Sequence, residues 1–142
     1  MKITNYALAL CSLLLVTACS NKNGSSENSA LMNELENKVG NKVYFAFDSS
    51  SVTSEAGQVL SRQAEFIKAH SDKNFIIEGH CDERGTVEYN IGLGERRANA
   101  VLKFLAHNGV SPEKFTVVSY GKEKPAVEGD DAKNRRAVTV IN

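Results

Sequence analysis

The chain lacks any apolar run long enough to cross a bilayer. Its most apolar stretch, Tyr6 to Val16, falls well short of the ~20 residues a membrane-spanning helix needs. It also lacks an excess of either charge, with 17 basic residues against 17 acidic ones. No clustered basic surplus marks a nucleic-acid binder. Cysteine is scarce, present only at Cys11, Cys19 and Cys81. There is no internal repeat, and the length suits one domain plus a tail.

What the N-terminus does contain is directional. Lys2 precedes the apolar run, which ends in Leu15-Val16-Thr17-Ala18-Cys19. Small residues immediately before a cysteine resemble the lipobox of bacterial lipoproteins, in which the thiol is lipidated before cleavage. Residues 1–18 are then a signal peptide and Cys19 the lipid attachment point. Ser20 and Asn21 follow without an aspartate, a pattern that favours the outer membrane. Several acyl chains, each buried methylene contributing ~0.8 kcal/mol, would hold the anchor. Cys11 leaves with the signal and Cys19 carries lipid, so Cys81 alone remains and an internal disulfide is excluded. Removal of residues 1–18 takes Lys2 and no acid, leaving 16 basic against 17 acidic residues.

Residues 21–29 contain no apolar side chain and cannot bury enough surface to offset their ordering entropy. Residues 19–40 are therefore expected to be a flexible tether, with a root-mean-square reach of roughly 20–25 Å. Leu31, Met32, Leu35 and Val39 recur at helical spacing, too briefly for an independent helix. The folded domain should occupy residues 41–142. Val43, Phe45 and Phe47 alternate as a strand ending at Asp48. Ala56, Val59, Leu60, Ala64 and Ile67 form the stripe of a helix capped by the Ser/Thr cluster before it. A second strand spans residues 75–80. A second helix opens near Thr86 or Glu88, carries Leu93, Ala98, Val101, Leu102 and Leu105 inward, and stops at Asn108-Gly109. Strands at residues 115–120 and 137–141 complete a β-α-β-α-β-β order. The fold class is α+β, a two-layer sandwich of two main helices over a mixed sheet of about four strands.

The richest segment is Gly79-His80-Cys81-Asp82-Glu83-Arg84-Gly85, continuing to Arg96-Arg97-Ala98. It puts an acid past the end of an apolar strand, then a glycine turn, then an arginine-bearing helix. Asp82 and Arg97 together suit a zwitterionic ligand, the guanidinium offering a planar fork for a carboxylate. The residues equally allow Asp82 to cap the turn around Gly85 and Arg97 to form only a structural ion pair with it. Arg84, Glu83, Arg96 and Glu95 read as solvated or partner-facing charges. His80 and Cys81 suggest a metal or thiol site, but neighbours in an extended run point to opposite faces and do not converge.

These residues, with Phe45-Ala46-Phe47-Asp48, Glu88-Tyr89-Asn90, Ser119-Tyr120-Gly121-Lys122-Glu123-Lys124-Pro125 and Asn134-Arg135-Arg136-Ala137-Val138, resemble the OmpA-like peptidoglycan-binding domain. The resemblance covers Val43 to Ile141. It implies non-covalent binding of the peptidoglycan stem peptide at its diaminopimelate residue. Asp82 would accept from the ammonium and Arg97 would meet the carboxylate. Asn90 and Leu93 share Arg97's helix stripe, and Asp48 and Arg135 match further site positions, with Arg136 turned away. Backbone donors near residues 86–89 would add anion contacts. The resemblance further implies a non-catalytic tether without cofactor or metal, working with Tol-system proteins, notably TolB, in envelope integrity and cell division. A stator or porin-type anchor would need a transmembrane helix or barrel. The segment Ala126-Val127-Glu128-Gly129-Asp130-Asp131-Ala132-Lys133 is several residues shorter than the family's usual connection. That leaves open whether a short third helix forms there and whether Arg135 reaches Asp82.

Overall fold

The computed structural model describes residues 23–142. The expected signal peptide, residues 1–18, and the expected lipid site Cys19 lie outside the described residues. Four helices and four strands build the domain: α1 (Asn23–Glu34), β1 (Lys42–Tyr44), α2 (Ser54–Ala69), β2 (Phe75–His80), α3 (Val87–His107), β3 (Phe115–Gly121), α4 (Asp131–Asn134) and β4 (Arg136–Ile141). Short helical turns at Leu35–Val39 and Pro112–Lys114 complete the chain. The strands form one mixed sheet in the order β1-β4-β2-β3. The strands joined by α3 pair in parallel, and β4 runs antiparallel between β1 and β2. This is the expected α+β sandwich.

The helices form where the sequence supplies caps and stripes. Thr53 accepts from the Ala56 amide at 3.2 Å and Thr86 from the Tyr89 amide at 3.1 Å, each satisfying an orphan donor of a first turn. The inner faces of α2 and α3 bury Leu60, Ile67, Ala98, Val101 and Leu105 against Phe75 and Ile77 of β2. Gln63 is fully buried within this layer, and both ends of its amide are used. Nε2 donates to the Gly40 carbonyl at 2.7 Å, and Oε1 accepts from Thr139 Oγ1 at 2.8 Å. Among the described residues no helix is long and apolar enough to cross a membrane.

Two segments differ from the sequence-based expectation. The region expected as tether up to residue 40 is helical from Asn23, and Leu35 is buried completely in the core. Leu31, Met32 and Val39 pack against that core, and Glu27 pairs with Lys73 at 3.1 Å. Tertiary docking supplies what the polar sequence lacks as an isolated helix. β1 also stops at Tyr44 instead of reaching Phe47. The Phe45 amide still donates to the Arg135 carbonyl at 2.9 Å, but the chain then turns, with Asp48 at φ 50°.

The short connection before β4 does form a helical turn. Asp130 caps α4 by accepting from the Lys133 amide at 3.1 Å. The buried Asn134 closes the loop: Oδ1 accepts from Ala126 and Val127 amides at 2.7 and 3.1 Å, and Nδ2 donates to the Val127 carbonyl at 2.8 Å. One backbone contact positions the site. A Cβ on Gly79 would overlap the Gly94 carbonyl, so β2 and α3 touch with no side chain between them.

Candidate functional site

Past the end of β2, the β1–α2 loop, the turn at residues 81–86 and the first turns of α3 enclose a cavity of about 180 Å³. Phe47, Asp48, Cys81, Asp82, Arg84, Gly85, Tyr89, Asn90, Leu93 and Arg97 line it. Five of the six expected site residues, Asp48, Asp82, Asn90, Leu93 and Arg97, thus come together. The sixth, Arg135, stands behind Asp82, its Nη1 3.5 Å from Oδ2, and donates from Nε to the Phe45 carbonyl at 2.9 Å. The shortened connection therefore still delivers Arg135 to the acid. Arg136 leaves in the opposite direction and donates to the Lys124 carbonyl at 3.2 Å.

Asp82 is only 4% exposed, yet its carboxylate is fully engaged. Oδ1 accepts from the Arg84 amide at 3.1 Å, which is the turn-capping role, and Oδ2 accepts from Arg84 Nη2 at 2.6 Å. Burial alone would raise its pKa. The side-chain and backbone bonds from Arg84, together with Arg135, outweigh it and hold the acid below its ordinary value. The group is a carboxylate at neutral pH.

Arg97 does not form the ion pair with Asp82 that the sequence left open. It is completely buried and donates to three carbonyls: Ser49 from Nε at 2.8 Å, His80 from Nη1 at 2.9 Å and Ala46 from Nη2 at 3.2 Å. It therefore clamps the β1–α2 loop to the end of β2. Two of a guanidinium's five N–H groups remain uncommitted. Burial pulls its pKa down, with Cys81 and Asp82 acting in the opposite sense. Asn90 works similarly on the other loop, with Nδ2 donating to the Arg84 and Thr86 carbonyls at 2.7 and 2.9 Å. At the rim the Tyr89 hydroxyl donates to Asp48, which raises the phenol's pKa.

Cys81 is buried, but its place is the cleft floor, where Sγ donates to the Asn90 carbonyl at 3.3 Å. Burial pushes its thiol pKa up, the reverse of what a nucleophile needs. His80 lies on the other face of the sheet, stacked on Tyr120 with ring centroids 5.4 Å apart and bonded through Nε2 to Glu78 at 3.2 Å.

Sequence reasoning missed Arg84, Phe47 and Tyr89. The Arg84 guanidinium lies 3.8 Å over the Phe47 ring while it pairs with Asp82. The signal was available in Asp82-Glu83-Arg84-Gly85: an aspartate bonded to the amide two residues on carries that residue's side chain back over itself.

An α+β sandwich with this strand order, carrying an acid-floored cleft at the end of its central parallel strand, defines an OmpA-type domain. The OmpA family model matches residues 44–139, and the chain belongs to the OmpA family and, within it, to the peptidoglycan-associated lipoproteins. A protein of that name from Brucella melitensis is 38% identical over 152 residues, covering 96% of this chain and 90% of that protein. Another, from Agrobacterium fabrum, is 47% identical over 107 residues, covering 72% of this chain and 60% of the relative's own length. The crystal structure of the peptidoglycan-associated lipoprotein from Burkholderia pseudomallei superposes with a TM-score of 0.70 at 42% identity, over 75% of this chain and 95% of that one.

Proposed function

We propose that this protein is an outer-membrane lipoprotein that binds peptidoglycan non-covalently, taking the diaminopimelate end of a stem peptide into the Asp82 cleft. The observation that carries the reading is the buried, ionised Asp82 at the floor of a cavity sized for one amino-acid end. The ligand's ammonium meets Asp82. Its carboxylate takes the two uncommitted N–H groups of Arg97 and free amides at the start of α3. Asp48, Asn90 and Leu93 shape the walls, and Arg135 supports Asp82 from behind. The protein is a tether and not an enzyme, using neither cofactor nor metal.

Lipid at Cys19 holds the other end, residues 1–18 serving as the signal peptide. The domain, residues 41–142 with α1 docked on it, is joined to that anchor by the intervening residues. Repeated encounter with the wall at short range turns a modest affinity into firm attachment. The Tol-system partner TolB competes for the same mouth, where Phe47, Val87, Tyr89 and Ile91 expose apolar surface. In this reading the protein serves envelope integrity and cell division.

Sedimentation with purified sacculi tests the reading. Asp82→Asn should reduce co-sedimentation at least about tenfold, because a ligand ammonium then loses its buried counter-charge. Equal sedimentation of the variant and the wild-type protein would refute it.

A further inference from the structure

From within the cleft Arg84 does to Asp82 what a ligand would do, while Arg135 makes a longer 3.5 Å contact from behind. Its guanidinium bonds Oδ2 at 2.6 Å and covers the Phe47 ring at 3.8 Å, a cation placed between an acid and an aromatic face. Asp82 is almost completely buried, whereas the Arg84 side chain is 45% exposed. A second acid already shares the guanidinium, with Asp131 Oδ2 3.6 Å from Arg84 Nε.

Arg84 also divides space. It lines the small cavity and, together with Cys81, a second cavity of about 690 Å³ bordered by Glu83, Lys122, Glu128 and Asn134. On the outer cavity's opposite wall, Lys122 Nζ donates to the Glu83 and Gly85 carbonyls at 3.3 and 2.7 Å. Arg84 is the residue of this boundary whose side chain bonds Asp82.

We propose that Arg84 is a built-in competitor for the ligand cation: its guanidinium occupies the ammonium position on Asp82 until a ligand displaces it toward Asp131. The idea rests on the cleft reading given above. Occupancy keeps the buried carboxylate paired in the empty protein, which avoids the cost of an isolated charge. It also makes the site selective, because only a ligand that brings its own cation can replace the one removed. Displacement opens the boundary between the two cavities, so the ligand's charged end fills the inner one while adjoining peptide lies in the outer one.

The competitor role predicts a sign opposite to that of an ordinary contact residue. Isothermal titration of the full chain with a soluble stem tripeptide ending in meso-diaminopimelate would compare the wild-type protein with Arg84→Gln and Asp131→Asn. Arg84→Gln should bind about threefold to tenfold tighter, since a neutral amide holds Asp82 less firmly than a charge-assisted bond. Asp131→Asn should bind about twofold weaker, since the guanidinium depends on Asp131 more once it has left Asp82 than while it pairs with both. Unchanged or weaker binding by Arg84→Gln, with the wild-type protein binding normally, would overturn the competitor and leave the site reading standing. Binding by Arg84→Gln alone would support the competitor. If neither protein binds, both the site reading and the competitor fall.

Discussion

Two arginines lie buried against opposite faces of the same sheet, and they are buried for different reasons. Arg97, on the helix side, is 0% exposed and gives three of its donors to carbonyls of two separate segments. Arg136, on the open side, is 8% exposed and has one bond, to Lys124, with Nε and Nη1 left unpartnered. Burial by itself therefore says little about what a charge does. A guanidinium in which every nitrogen donates to a carbonyl is a structural fastener, while one with nitrogens left unpartnered is a desolvated charge that the fold tolerates. The cleft is built with the first kind, which is why its walls are preformed. The open face has the second kind beside His80, whose Nδ1 also lacks a partner.

The comparison can be broken by removing each side chain in turn. Arg97→Met should cost about 3–5 kcal/mol in urea unfolding, because it strands three carbonyls and frees the β1–α2 loop. Arg136→Met, of similar volume, should change stability by less than about 1 kcal/mol in either direction. Equal losses for the two would erase the distinction. The smallest effect is one of pH. Burial and the neighbouring Arg136 lower the pKa of His80 below 6.5, with Lys124 adding to this and Glu78 opposing it; Tyr120 completes its surroundings. The unfolded chain then binds the proton more readily, so stability is flat above about pH 6.5 and falls as pH drops toward the folded value. Urea midpoints at about pH 7.5 and 5.5 should separate for the wild-type protein and converge for His80→Gln. Asp82 does not confuse the readout, since its lowered pKa lies under 3.8.

Much of this arrangement was legible in the residues. Apolar spacing and threonine caps located α2 and α3, whose ends lie close to the expected positions. Asp82 and the stripe Asn90, Leu93 and Arg97 line one cavity, as their spacing suggested. What escaped depends on contacts distant in sequence. Residues 23–29 are too polar to announce a helix, and only docking of Leu31, Met32 and Leu35 on the core reveals one. Arg97 looked like half of an ion pair because nothing local shows that Ala46 and Ser49 would bring their carbonyls to it. Arg84 read as a solvated or partner-facing charge, since its meeting with Phe47 requires two loops to fold against each other. Periodicity reports which face is inward and is silent on which partner a polar group finds there.

The bare contact between Gly79 and Gly94 has a consequence for how the cleft can change. It sets the strand leading to Asp82 and the helix bearing Asn90, Leu93 and Arg97 at a spacing fixed by main chain alone, independent of any rotamer. The inner width of the cleft behaves as a gauge, machined once by two glycines. Substitutions at Phe47, Val87, Tyr89 or Arg84 can retune what is admitted and how readily. The calibre against which they work stays constant for as long as both glycines remain.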